Sequence, residues 1–351
     1  MSQLNGKGDG LLFSITERTE VMDARSQITK ILKINNFDEN TISRVQIIVS
    51  EMGANLIKHT DRGGEIILSI LNIVEKKNID IYSIDNGKGM EDIDLKILGK
   101  KIDPDSDNFK VSFKESLGYG LGSIKRLSDN FDIFSKPGKG TVIFSRIGKC
   151  FEVNALDYGV ISVPKPGEEA NGDSWKIIFS ENKNYLIVVD GLGHGVDAAK
   201  ASNTIIKGLS TALNEGQTIE ESLDFADKIS RSTRGGAVCL VEIDKKRNEI
   251  QSCIIGNISG IKFQDEKSRY FVQNRGTVGY KIQKKITMKY SYDKNTIITI
   301  YSDGLNSKLK IINYKGLLAR RIPLLTGILW RDFRRKTDDS TLMIFKCGEK
   351  M

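Results

Sequence analysis

The chain has 351 residues, 39% of them apolar and 28% charged, with a formal net charge of +8. That length exceeds what a single compact core usually takes, so two domains of globular composition are expected. No apolar run is long enough to span a bilayer and Met1 to Gly8 has no signal-peptide pattern, so a cytoplasmic chain with no membrane partner is expected.

In the first half, residues 21–34 and 42–57 predict two amphipathic helices, the second with Ile42, Val45, Ile48, Met52 and Leu56 as its core stripe. Glu51 and Asn55, four apart, share a face of that helix, where a carboxylate and a carboxamide suit activation of a hydroxyl and Mg²⁺ binding. Residues 65–74 and 79–84 predict a strand hairpin, ending at Asp85-Asn-Gly-Lys-Gly-Met90. A polar segment over 91–115 is too long for a mere connection. It closes on Leu117-Gly-Tyr-Gly-Leu-Gly-Ser123, opening a helix over 124–129; glycine amides at a helix N-terminus form a phosphate cradle. Lys136-Pro-Gly-Lys-Gly-Thr141 then leads into a strand over 142–147.

Glu-x-x-x-Asn, Asp-x-Gly-x-Gly, Gly-x-Gly-Leu-Gly and Gly-Thr in this order resemble the Bergerat-type ATP-binding fold of gyrase, histidine kinases and the anti-sigma-factor serine kinases. The run 117–140 is most similar to the RsbT-type switch kinases. The resemblance implies ATP with Mg²⁺ as cofactor, with Asn55 on the metal and Asp85 on the adenine amino group. It implies that Gly87 and Gly89 shape the pocket floor, that Gly118, Gly120, Leu121 and Gly122 close over the phosphates, and that Thr141 supports the adenine. Glu51 becomes the general base if phosphate is transferred; ATP binding alone does not require it.

In the second half, Tyr185 to Val189 is an apolar, β-branched run typical of a strand buried on both faces, and it stops at Asp190-Gly-Leu-Gly-His-Gly195. An acid there is costly unless neutralised, and a divalent cation is the usual partner. Helices are expected over 196–213 and 218–230, and paired strands over 236–243 and 249–255. Two further acidic strand ends follow, Ser302-Asp303-Gly304-Leu305 after the run 296–301 and Asp338-Asp339-Ser340-Thr341 before the run 342–345; Asp173 precedes a fourth at Trp175. Together they could set an oxygen-rich rim for Mg²⁺ or Mn²⁺. The cysteines, at 150, 239, 253 and 347, include no Cys-x-x-Cys pair, which favours reduced thiols. Arg331-Asp-Phe-Arg-Arg-Lys336 is the one dense basic cluster and has no interleaved aromatic platform, so no nucleic-acid partner is expected. It reads as a solvated helix end, or as a clamp for an anionic phosphoprotein beside Asp338.

These four motifs, in this order, resemble the PPM-type protein serine/threonine phosphatases, within them the stage II sporulation protein E family and its short RsbX-like branch. The expected fold class is α/β (α+β): a Bergerat-type ATPase sandwich over 1–148, then a PPM-type β-sandwich flanked by helices over 150–351. The resemblance implies two metal ions bridged by Asp190, with the Gly191 carbonyl, Asp173, Asp303 and either Asp338 or Asp339 completing the set. His194 is either a general acid or a structural cap of its loop. The implied function is a metal-dependent protein serine/threonine phosphatase with an ATP-binding, kinase-like first half, acting in bacterial partner switching. Its substrate would be a phosphorylated STAS-type antagonist or scaffold protein, with a sigma factor or activator as a further partner. The alternative is that the first half is an ATP-dependent binding module without phosphotransfer.

Overall fold

The computed structural model describes residues 10–73, 76–91, 119–148 and 157–348. The chain divides into two compact units, one of residues 11–69 and 78–149, the other of residues 1–10, 70–77 and 150–351.

One sheet, in the order β1-β2-β3-β5-β4, is formed by β1 (Gly10–Ile15), β2 (Gly64–Ile73), β3 (Lys76–Ile84), β4 (Asn130–Ser135) and β5 (Thr141–Ile147), and all of it but Gly10, residues 70–73 of β2 and residues 76–77 of β3 falls in the first unit. Helices α1 (Arg18–Ile34), α2 (Glu39–His59) and α3 (Tyr119–Leu127) accompany it, α2 packing against both others. α2 starts where the Asp38 side chain accepts the Thr41 N–H at 2.9 Å and stops at extended Thr60, whose hydroxyl donates back to the Leu56 carbonyl at 2.7 Å. Its apolar stripe, Ile42, Val45, Ile48, Met52 and Leu56, is buried. Asp80 and Arg146 face each other across β3 and β5 as a buried bidentate pair at 2.6 and 2.7 Å.

The glycine-rich segment departs from expectation. α3 begins at Tyr119, so Gly120, Leu121 and Gly122 lie inside its first turns instead of preceding it. A Cβ on Gly120 would stand 2.8 Å from Glu51 Oε2, so this bare position lets the α2 carboxylate come close to the start of α3.

The second unit is a sandwich of two sheets. One runs β7 (Asp173–Phe179), β8 (Lys183–Gly191), β9 (Gly236–Asp244), β10 (Glu249–Ile255) and β13 (Gln273–Asn274), with β16 (Met288–Ser291) also on β10. The other runs β6 (Tyr158–Val163), β18 (Ser340–Lys346), β17 (Ile297–Tyr301), β11 (Ser259–Gln264) and β12 (Lys267–Tyr270). A short ribbon pairs β14 (Gly276–Thr277) with β15 (Lys281–Ile282). Strand alternation sorts the side chains of β8: Leu186 and Val188 join the core between the sheets with Trp175, Ile300 and Met343, whereas Tyr185, Ile187 and Val189 pack under α4 (Val196–Asn214) and α5 (Ile219–Ser230). Both faces of β8 are therefore covered. α6 (Ile322–Phe333), buried from Ile322 to Trp330, packs on β6 and β18 of the other sheet.

Candidate functional site

The same alternation that fills the sandwich brings its acids to one end. Continuing the inward positions 186 and 188 of β8 leads to Asp190, and Asp190 stands directly opposite Asp173 on β7. On the facing sheet, inward Ile298 and Ile300 continue to Ser302, and inward Phe345 and Met343 lead back to Thr341 and Asp339. Ser302 crosses between the sheets, its hydroxyl donating to Asp173 Oδ2 at 2.6 Å while accepting the Thr341 N–H at 3.0 Å. Asn171 steadies the other side: its Oδ1 accepts the Asp173 N–H at 3.0 Å and its Nδ2 donates to Ser162, itself bonded to Thr341.

Asp303 and the doublet complete the rim. Asp303 Oδ2 accepts from Asn257 at 2.7 Å. Asp339 Oδ1 accepts the Lys165 N–H at 2.8 Å, and its Oδ2 is buried against Gly172 without a well-formed hydrogen bond among the described residues. Asp338 is the less buried member and receives the Asp339 N–H at 3.0 Å.

Burial and mutual repulsion set the electrostatics. Burial, then the charges of Asp173, Asp303, Asp338 and Asp339, push the Asp190 carboxyl up to about 9. Burial likewise raises Asp173 to about 7, against the hydrogen bonds of Ser302 and Thr341. Asp303 and Asp339 are raised for the same first reason, with Asp338 adding repulsion to each and Arg335 opposing it at Asp303. Among the described residues, no three His, Cys, Asp or Glu side chains are drawn together tightly enough to make a ready ligand shell. The acids are within electrostatic reach of one another. An all-oxygen donor set that repels itself is nonetheless the chemistry a hard divalent cation relieves, so the residues fit such an ion.

The glycine turn after Asp190 has tight constraints. A Cβ on Gly191 would stand 2.2 Å from the Ala198 carbonyl oxygen, and Gly193 holds φ +91, a left-handed conformation that side chains disfavour. His194 Nδ1 pairs with Glu168 at 2.6 Å, with half of its side chain exposed.

The basic cluster is not a uniform solvated patch. Only 5% of the Arg331 side chain is exposed, and its Nε meets Asp332 at 2.8 Å; Arg334 stacks 4.4 Å over the Trp330 ring. Arg335 is exposed, and its backbone N–H is held by the Gly304 carbonyl at 2.8 Å.

In the first unit, Asp85 is buried at the end of β3, its Oδ1 accepting the Gly87 N–H at 2.8 Å and the Thr141 N–H at 3.2 Å. The Thr141 hydroxyl meets Ser135 at 2.8 Å, and Ser135 also accepts the Met90 N–H. Gly89, at φ +70, lies where a Cβ would meet the Lys136 carbonyl oxygen at 1.9 Å. Asn55 sits beside Glu51 near Gly120, its Nδ2 buried with no hydrogen-bond partner among the described residues. Leu121 is buried within α3, and Gly118 lies outside the described residues. Glu51, Asn55 and Gly120 thus form one neighbourhood, and Asp85, Gly87 and Thr141 another.

Sequence reasoning did not single out Ser162, Asn171, Asn257, Glu168 or Arg234. For Ser162 a signal exists, a lone polar residue at an inward position of an otherwise apolar strand. The others sit on loops, where no periodicity marks them.

Residues 15–146 match the histidine kinase-like ATPase domain and residues 180–346 match stage II sporulation protein E. The chain is 26% identical over 148 residues to phosphoserine phosphatase RsbX of Bacillus subtilis (strain 168), covering 42% of this chain and 73% of that protein. It is 29% identical over 126 residues to serine/threonine-protein kinase RsbT of the same organism, covering 35% of this chain and 85% of that protein. A solved structure from work on "The bacterial stressosome: a modular system that has been adapted to control secondary messenger signaling" shares the fold, with TM-score 0.52 and 23% identity over 54% of this chain and 99% of that one.

Proposed function

We propose, for a chain that joins a histidine kinase-like ATPase domain to a stage II sporulation protein E phosphatase domain, that it removes phosphate from serine or threonine of a STAS-type protein in partner switching. The observation that supports this reading is Asp190 standing opposite Asp173 at one end of the sandwich, where Ser302, the neighbour of Asp303, donates to Asp173 from the facing sheet. Dependence on Mg²⁺ or Mn²⁺ is typical of this phosphatase class. Bound there, two such ions would supply an activated water and neutralise charge building on the phosphoryl group. Asp190 faces Asp173 and feels the charges of all four other acids, and it is assigned as the shared ligand, with the Gly191 carbonyl, Asp173 and Asp303 as further ligands. Asp338 is preferred over Asp339, because Asp339 has one oxygen committed to the Lys165 N–H and the other turned against Gly172. His194 is assigned to holding the turn through Glu168, which its 2.6 Å pairing supports.

The first half is assigned to ATP with Mg²⁺. Asp85, whose acceptor oxygen is fixed by two backbone N–H groups, suits an exocyclic amino group, and Asn55 with Glu51 suits the metal and phosphate end. Transfer of phosphate to a partner, with Glu51 as base, and a sigma factor or activator as further partner, belong to the same reading. The same reading sets the chain in the cytoplasm; among the described residues no helix is long and apolar enough to cross a membrane.

The test is release of phosphate from a phosphoserine STAS-type protein with Mn²⁺. Wild type should hydrolyse it, and Asp190→Asn and Asp303→Asn should each abolish turnover. Undiminished activity in either variant contradicts the assignment.

A further inference from the structure

Arg234 belongs to the loop between α5 and β9, and β9 is the strand that pairs with β8 at the acidic end: Ala237 stands opposite Asp190 and Gly236 opposite Gly191. The loop is tied to the glycine turn by the Leu192 N–H, which donates to the Gly235 carbonyl at 3.0 Å. From this anchor the guanidinium reaches over the turn, its Nη1 lying 3.1 Å from where a Cβ on Gly193 would stand. Its Nη2 donates to Asp197, in the first turn of α4, at 2.7 Å. Both side chains of that pair are at least half exposed, at 50% and 64%. An ion pair so open to solvent contributes little to stability. It engages one arm of a fork with five donors, and such a planar cation is well suited to phosphate oxygens. Two other basic side chains near the acids among the described residues are differently engaged, His194 pairing with Glu168 and Arg335 lying beside Asp303.

We propose that Arg234 binds the phosphoryl group of the substrate at the metal site, and that Asp197 is a positioning residue that parks the guanidinium over the glycine turn until the anion arrives. This rests on the phosphatase reading above and adds a substrate contact to it. The ligand is recognised as a phosphate monoester dianion, common to a phosphoprotein and to a small aryl phosphate.

The experiment uses the full chain with Mn²⁺ and compares wild type with Arg234→Ala, Arg234→Lys and Asp197→Asn. Calorimetry reads binding of inorganic phosphate, and steady-state kinetics reads p-nitrophenyl phosphate and a phosphoserine protein. Arg234→Ala should weaken phosphate binding and raise KM for both substrates roughly tenfold or more, the scale of a lost charge-assisted hydrogen bond. Arg234→Lys should recover part of that loss. Asp197→Asn should bind phosphate at least as tightly as wild type, since it frees the guanidinium. Mn²⁺ affinity and melting temperature should be unchanged in all three. If Asp197→Asn is as impaired as Arg234→Ala, the pair is merely structural and the assignment is overturned. An effect of Arg234→Ala on the phosphoprotein alone makes it a docking residue and overturns it too. A wild type that binds phosphate through Arg234 but hydrolyses neither substrate keeps the anion site and removes the phosphatase reading.

Discussion

Replacing Asp190 by Asn should make the metal-free protein more stable while removing the carboxylate proposed to bridge its metal ions. Asp190 is pushed up to about 9 by burial and by four neighbouring carboxylates, and Asp173 to about 7. In the unfolded chain both titrate near the ordinary 3.8. Between that value and the folded ones the native state therefore binds more protons than the unfolded state, so stability falls as pH rises through this window. At pH 8 the folded carboxyl is still protonated, so the span from 3.8 to 8, at about 1.4 kcal/mol per pH unit, bounds the effect at roughly 6 kcal/mol. Side-chain relaxation and water entry reduce it, leaving on the order of several kcal/mol as the cost of keeping this carboxyl protonated in the folded state. Asn has the same shape and no charge, so it should relieve most of this. For a domain of this size each kcal/mol moves the midpoint by about 2–4 °C, so a rise of at least ~5 °C at pH 8 is expected. Both tryptophans, Trp175 and Trp330, belong to the second unit, so their fluorescence follows its melting apart from the ATPase half. With a chelator present, wild type should melt lower at pH 8 than at pH 5, and Asp190→Asn should show a flatter profile. A variant no more stable than wild type at pH 8 would refute the crowding of charge at this rim.

Ser302→Ala removes a hydroxyl that bridges Asp173 and the Thr341 N–H inside the sandwich, and should destabilise the tryptophan-reported transition by about 1–3 kcal/mol in chemical unfolding. Asp85→Asn should weaken ATP binding at least ~10-fold by calorimetry, because an amide in place of the carboxylate alters the acceptor proposed for the purine amino group. The same variant should leave Mn²⁺ binding unchanged. Arg334→Ala should lower the melting temperature through loss of the stack on Trp330, worth ~0.5–2 kcal/mol, with KM for a phosphoprotein unaltered.

The sequence makes β8 legible because five apolar residues running into an acid leave little room for another reading, and Asp173 opposite Asp190 then follows from antiparallel pairing. Which faces the acids occupy was also open to inspection, since alternation from Val188 and Ile300 leads inward to Asp190 and Ser302. Less could be read where polarity gave no contrast. α6 is buried from Ile322 to Trp330, so it has no polar stripe to announce a helix. β4 is a part-buried edge strand carrying Asn130 and Asp132, residues that argue against strand on propensity alone. The early start of α3 was hidden by its glycines, which ordinarily weaken a helix but here admit Glu51. Arg234 gives no signal in one dimension, because its neighbour Gly193 is some forty residues away and is reached only through sheet pairing.

The most direct measurement is Mn²⁺ titration of the full chain by calorimetry, for wild type and for Asp173→Asn, Asp190→Asn, Asp303→Asn, Asp338→Asn and Asp339→Asn. Convergence of the acids on shared ions predicts two bound ions in wild type, loss of at least one in the variants at 173, 190, 303 and 338, and a smaller loss at 339. Wild-type stoichiometry and affinity retained in Asp190→Asn would contradict it.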